Sequence, residues 1–214
     1  MPRSARVVVP GFPHHVLQRG NRRQRTFFCP DDYRAYRQFL AASCRRQKVE
    51  IWTYCLMPNH VHVVAVPFTE EALARAFGDA HRSYTAGINR REGWQGFLWQ
   101  GRFASHVMDS RHALNAMRYG ELNPLRAGLT ENPESYPWSS AAHHLLGQSD
   151  PLVSACPLIE GGASWRRFLE AESDKDETDR LRRHGRSGQP LGGETFVAEI
   201  EADLGRILRC KREL

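Results

Sequence analysis

Between Val49 and Val66 almost every residue is apolar, β-branched or aromatic, and the run breaks only at Met57-Pro58-Asn59. Val49, Ile51, Thr53 and Cys55 alternate with Trp52, Tyr54 and Leu56, so the first half reads as a largely buried strand. The second half, from His60 to Val66, reads as its hairpin partner. The flanking segments fit around that hairpin. His14 to Arg19, ending at Gly20-Asn21, is predicted as a first strand leaving through a turn. Pro30-Asp31-Asp32 opens an amphipathic helix carried by Tyr33, Tyr36, Phe39, Leu40 and Cys44 and ending near Gln47. Glu70 to Asn89 is predicted as a second helix, Phe103 to Met108 as a fourth strand, and Arg111 towards Asn123 as a third helix. Asp109-Ser110 would cap that third helix and Pro124 would stop it.

The resulting order, β-α-β-β-α-β-α, indicates an α+β fold: a ferredoxin-like antiparallel sheet with the two crossover helices on one face and a third helix added. Beyond residue 150 a polar helix is expected from Ser164 to about Arg183. A glycine-rich break at Gly185–Gly193 and a helix from Glu194 to about Leu208 follow. The expected division is one domain over residues 1–150 and a C-terminal helical tail over 151–214. At 214 residues and 41% hydrophobic, the chain can bury one good core but cannot be a large multidomain machine.

The longest apolar stretches are too short to cross a bilayer, and Met1 to Arg6 lacks the apolar core of a signal peptide, so the expected location is the cytoplasm without membrane contact. Cys29, Cys44, Cys55, Cys156 and Cys210 form no close pair and are read as reduced thiols. Residues 1–50 carry 11 Lys or Arg against 3 Asp or Glu, a local charge of +8 in a chain whose total is +6. The basic excess sits at one end. Arg19, Arg22, Arg23 and Arg25 cluster about Gly20-Asn21, where a turn would present guanidinium groups to phosphates; a merely solvated charged loop is the alternative.

His60 and His62 stand two apart on a predicted strand, so both imidazoles point to one side of the sheet while Val61 and Val63 point to the other. That geometry suits chelation, although a structural role would also place histidines so. Tyr119 and Asn123 are four apart and share a helix face, where the Asn123 amide oxygen can complete a facial ligand set with the two imidazoles. Packing is the alternative role for Tyr119. His14, His15, His81, His106, His112, His143, His144 and His184 are read as ordinary surface or packing histidines.

The segment Met57-Pro58-Asn59-His60-Val61-His62-Val63-Val64, followed by Arg118-Tyr119 and Leu122-Asn123-Pro124-Leu125-Arg126-Ala127-Gly128-Leu129, resembles the REP-associated tyrosine transposases. These form a branch of the IS200-like transposases in the HUH single-strand nuclease superfamily. Gln18-Arg19-Gly20-Asn21-Arg22 and Leu98-Trp99-Gln100-Gly101-Arg102-Phe103-Ala104-Ser105 are similar to the same family, and the resemblance runs over about residues 7–148. Gly188 to Gly192 resembles family members as well. Gly120 departs from the pattern, where a bulkier residue is expected.

The resemblance implies an endonuclease and transposase acting on single-stranded DNA that forms hairpins. Tyr119 would be the nucleophile, and a 5′-phosphotyrosine the intermediate. His60, His62 and Asn123 would hold Mg²⁺ or Mn²⁺. A phenol, with a reference pKa of about 10, is a poor nucleophile at neutral pH unless a cation favours its ionised form. DNA binding is expected of Arg19, Asn21, Arg22, Arg25 and Arg102, with Trp94, Phe97 and Trp99 as stacking surfaces or core. The resemblance favours a monomer over a homodimer. Two alternatives stand beside it: a replication-initiator or relaxase-like nickase, and a DNA-binding protein of the same fold without catalysis. An RNA-binding sheet is disfavoured, because histidines stand where such a sheet presents aromatics.

Overall fold

The structure, a computed structural model, describes residues 6–171, 175–205, 207 and 208. Its order is β1 (His14–Arg19), α1 (Pro30–Gln47), β2 (Val49–Met57), β3 (His60–Pro67), α2 (Ala72–Glu92), β4 (Ala104–Val107), α3 (Ser110–Glu121), α4 (Asn123–Arg126), α5 (Ala141–Leu146), α6 (Gly162–Glu170), α7 (Lys175–Ser187) and α8 (Glu194–Leu204). The four strands form one antiparallel sheet in the order β2-β3-β1-β4, the ferredoxin-like arrangement.

The hairpin closes on Pro58-Asn59, with Met57 opposite His60 and Cys55 opposite His62. A register irregularity between Ile51 and Thr53 breaks the expected alternation of β2: Ile51 shares a face with Tyr54 and Leu56, and Trp52 points to the other. Val16, Val61, Val63 and Ala65 face α1 and α2, where Tyr36, Leu40, Leu73, Phe77 and Tyr84 complete the main core. The other face carries Val64 and Val66. Ala113, Ala116 and Met117 of α3 close over it, together with Trp165, Leu169, Leu181 and Leu191 from the C-terminal segment. Period-2 alternation therefore divides β3 between two cores, and His60 and His62, with His15 of β1, share the α3 side while His14 points the other way.

Cys29 and Asp32 cap α1: the Asp32 carboxylate accepts from Phe28 N at 2.7 Å and Cys29 N at 3.2 Å, and it also pairs with Arg91 at the end of α2. Asp109 caps α3 by accepting from His112 N at 2.9 Å, and its second oxygen accepts from Gly193 N at 3.0 Å, which ties the tail to the start of α3. His112 is part of that cap, its Nδ1 lying 2.7 Å from Asp109.

Several boundaries differ from expectation: α2 runs on to Glu92, β4 shortens to Ala104–Val107, α7 continues through Gly185 to Ser187, and α8 ends at Leu204. Pro124 does not simply stop α3. The helix ends at Glu121, and Pro124 sits in the first turn of α4, where its missing N–H has no helical partner to lose. The expected helix from Ser164 to Arg183 is two helices, because Ala171 turns extended at the end of α6.

Among the described residues Cys29, Cys44, Cys55 and Cys156 are free thiols, and Cys210 lies outside them. Burial pushes the Cys44 thiol up to about 12 and Cys156 up to about 11. No helix among the described residues is long and apolar enough to cross a membrane.

Candidate active site

Three of the motif segments, separated in sequence, are tied together by backbone hydrogen bonds: the hairpin tip, the basic turn and the aromatic loop. Thr26 N and Phe27 N donate to Pro58 O at 2.8 and 3.2 Å, and Gly20 N donates to Asn59 O at 2.9 Å, so the basic turn is fastened to the tip of the hairpin. Asn21 N donates to Leu98 O and Gln100 N to Arg19 O, which fastens the aromatic loop to the same turn. Gly20 must be glycine here: a Cβ would lie 2.2 Å from Gln24 O. Arg22 and Arg23 both take left-handed backbone angles, φ 51° and 62°, to complete the turn.

Beside this junction lies a cleft of about 730 Å³ lined by His15, Arg19, Arg23, His62, Arg102 and Tyr119, among others. Gly120 packs inward, where a Cβ would sit 3.9 Å from the His62 Cβ, so α3 runs close over β3. Tyr119 is thereby set edge to face against His62, ring centroids 5.4 Å apart at 80°. His60 and His62 lie on one face of β3 as expected, with centroids 5.0 Å apart. His62 is buried and also lies 3.0 Å from His15, measured between His62 Nδ1 and His15 Nε2.

Burial, reinforced by Arg19, holds His60 down at about 4; burial and then the neighbouring His15, His60 and Arg19 hold His62 well below the ordinary range. Both are therefore neutral at physiological pH, the form with a lone pair to give.

Asn123 opens α4, and its Nδ2 is buried with no hydrogen-bond partner among the described residues. Among those residues no group of three or more His, Cys, Asp or Glu forms a metal set, so a cation on His60 and His62 would draw its remaining ligands from an amide, water or phosphate. Neutral imidazoles on one sheet face fit such a cation; from Asn123 the ligand would be the amide oxygen, since the unpartnered Nδ2 is a donor with no lone pair to give.

Of the expected DNA-contacting residues, Arg19 and Arg102 line the cleft. Asn21, Arg22 and Arg25 do not, and Arg25 Nε instead donates to Phe27 O at 2.7 Å. Arg23 does line it, a position the arginine cluster signalled but could not single out. The aromatic loop divides: Trp99 is buried against Tyr84 and His81, Trp94 leans on Phe28, and Phe97 is 85% exposed.

The comparisons with known proteins agree with this arrangement. The family described as transposase IS200-like matches residues 9–121, more than half of the chain. The chain belongs to the IS200-like transposase family. A Haemophilus influenzae protein named as a REP-associated tyrosine transposase is 24% identical over 136 residues, covering 58% of this chain and 75% of that one. The solved structure of a REP-associated tyrosine transposase bound to a REP hairpin superposes with a TM-score of 0.59 at 18% identity, covering 75% of this chain and 98% of the other. This IS200-like transposase thus shares the sheet and helix arrangement of that structure.

The sequence alone gave no sign that His15 belongs to the site, since pairing it with His62 requires the register of β1 on β3. Nor did it mark Glu121. That carboxylate is fully buried and accepts from Ser140 Oγ at 2.6 Å, His144 Nδ1 at 2.6 Å and Trp165 Nε1 at 2.8 Å.

Proposed function

We propose that this transposase cleaves and rejoins single-stranded, hairpin-forming DNA of the REP type through a covalent bond to Tyr119. The observation that carries the reading is the placement of Tyr119 beside His62 at the mouth of a cleft lined by Arg19, Arg23 and Arg102. The Tyr119 oxygen attacks the scissile phosphorus and the bond to the 3′-oxygen breaks, leaving a 5′-phosphotyrosine. The phenolic proton passes to solvent, and the departing 3′-oxygen takes one up. In the reverse direction a 3′-hydroxyl attacks the phosphotyrosine and restores the strand.

His60 and His62, with the Asn123 amide, are the residues that would hold Mg²⁺ or Mn²⁺. When bound, the cation polarises the scissile phosphate and offsets the charge that develops during displacement. Arg19, Arg23 and Arg102 neutralise the DNA backbone around it, and Phe97 offers an exposed ring to an unpaired base.

Tyr119 and His62 of a single chain face one cleft, with His60 beside His62 on the same strand face, which supports a monomer as the working unit. In this reading residues 1–150 form the catalytic domain, residues 151–214 are a tail that supports α3, and the protein works in the cytoplasm. The similarity to a transposase whose structure holds a REP hairpin supports a hairpin as the substrate.

The test uses a hairpin oligonucleotide with a single-stranded extension, in Mg²⁺ or Mn²⁺. The wild type should form an adduct that survives denaturing electrophoresis, and Tyr119→Phe should form none while still binding the DNA. An adduct in Tyr119→Phe removes the nucleophile assignment. No adduct in the wild type across varied hairpins favours a protein that binds DNA without cutting it.

A further inference from the structure

His15 lies on β1, paired with Val64 on one side and His106 on the other, and reaches diagonally to His62 on the same face of the sheet. The two rings are nearly parallel, 9° apart with centroids at 5.2 Å, and His15 Nε2 lies 3.0 Å from His62 Nδ1. Both rings are buried, and two ring nitrogens at that distance need one to donate and the other to accept. Two arrangements satisfy that contact. They differ in whether the second nitrogen of His62, Nε2, carries a proton or a lone pair.

The neighbouring histidine shows what the site asks for. Asn59 Nδ2 donates to Arg23 O at 3.1 Å, which orients the amide, since a carbonyl can only accept. Asn59 Oδ1 is therefore the atom 2.6 Å from His60 Nδ1, and His60 carries its proton on Nδ1 and its lone pair on Nε2. The cleft bordered by His62 is lined by Arg19, Arg23 and Arg102. A ring N–H turned towards those cations is disfavoured, and a lone pair turned towards them is favoured. We propose that His15 does for His62 what Asn59 does for His60: its Nε2 accepts the His62 Nδ1–H, fixing the ring and leaving His62 Nε2 as a bare donor to the cleft.

A purely structural role accounts poorly for His15. Its neighbour His14 is a satisfied core histidine, with Nδ1 donating to Phe12 O at 2.8 Å and Nε2 accepting from Val9 N at 3.1 Å. His15 uses only Nε2, and its Nδ1 is buried without a partner among the described residues. That expense has a return if His62 must present one particular tautomer, because partners of this kind set ring orientation and donor strength in metal sites. His15 is a positioning residue and does not touch the reacting atoms.

The inference rests on the reading of His60 and His62 as cation ligands only for its second measurement. First, long-range ¹H–¹⁵N correlation spectra of the whole, metal-free protein at neutral pH report the His62 tautomer, assigned by comparison with His62→Gln. The expected result is Nδ1–H in the wild type and in His15→Gln, whose amide oxygen still accepts, and a shift towards Nε2–H in His15→Leu. Second, Mn²⁺ titration should show affinity lowered roughly 10- to 100-fold in His15→Leu, and largely restored in His15→Gln. A His62 that carries its proton on Nε2 in the wild type overturns the inference, as does a folded His15→Leu that keeps Nδ1–H and full Mn²⁺ affinity. If His15→Leu does not fold, the wild-type spectrum decides. If Mn²⁺ affinity is unchanged in His62→Gln, the ligand reading fails instead, and the metal-free tautomer still settles the role of His15.

Discussion

At the scale of single residues, two glycines near the cleft behave in opposite ways, and the space around each sets the sign. Gly120 lies on the face of α3 that meets β3, and a Cβ there would be at ordinary contact distance, 3.9 Å from His62. Gly120→Ala should therefore be accepted and should raise stability by up to about 1 kcal/mol through helix propensity, with adduct formation retained. A larger side chain, as in Gly120→Leu, has to push α3 away from β3 and carry Tyr119 from His62. Its adduct yield should fall even where urea unfolding shows a stable fold. The sequence pattern called for bulk at this position, and the close approach of helix to sheet explains why a small residue works. Gly20 has no such room. Gly20→Ala drives a methyl group into Gln24 O and should cost about 1–3 kcal/mol in urea unfolding while weakening single-stranded DNA binding, because the arginine turn is built on that contact. If Gly20→Ala proves as stable as the wild type, the turn is not the packed junction described.

At the scale of elements, the proposed nucleophile Tyr119 is only as well placed as the end of α3, and that end is held from behind. Tyr119 faces the cleft, while Glu121, two residues on, is fully buried among Ser140, His144 and Trp165. Those partners come from α5 with its preceding residue and from α6, so the segment beyond the catalytic strands reaches the site through one carboxylate. Glu121→Ala leaves the buried His144 and Trp165 donors unpaired, while Ser140 Oγ keeps Tyr54 O as an acceptor, and should cost about 3–5 kcal/mol by denaturant unfolding, with the adduct rate falling further than DNA affinity. Glu121→Gln keeps one acceptor and should fall between. An Ala variant within experimental error of wild-type stability would mean that the tail does not brace α3.

This network also marks where sequence reading stops. The bounds of β1 and α1, the hairpin and the Asp109 cap were all legible, because alternation, helical spacing and capping chemistry are local signals. The placement of His60 and His62 on one strand face was legible by spacing, and Tyr119 was marked by family motif. The contacts of His15 and Glu121 were not, because each depends on a neighbour at least 19 residues away, brought close by strand register or by tail packing.

At the scale of the whole molecule, the fold commits an unusual number of imidazoles to its interior, and that fixes how it responds to acid. Burial holds His14 and His15 at about 4 and His81 at about 3, and it keeps His62 and His106 well below the ordinary value of 6.5. In the unfolded chain each titrates near 6.5. Between about pH 6.5 and pH 4 the unfolded chain therefore binds protons that the native protein refuses, and stability falls as pH falls. Above pH 6.5 both states are neutral and the contribution is complete. Each such histidine adds up to about 1.4 kcal/mol per pH unit to that slope. Asp32 and Asp109, whose pKa values are lowered by their hydrogen bonds, act in a different window, losing their contribution only below the usual carboxylate range. The urea midpoint should therefore be nearly flat from pH 8 to pH 7 and drop steeply from pH 6.5 to pH 5, with acid unfolding under way before the carboxylates titrate. A midpoint as high at pH 5 as at pH 7 would mean that these histidines accept protons within the fold. The cleft could then not rely on neutral imidazoles, because the burial that keeps His62 available as a lone-pair donor is the same burial that makes the protein acid-labile.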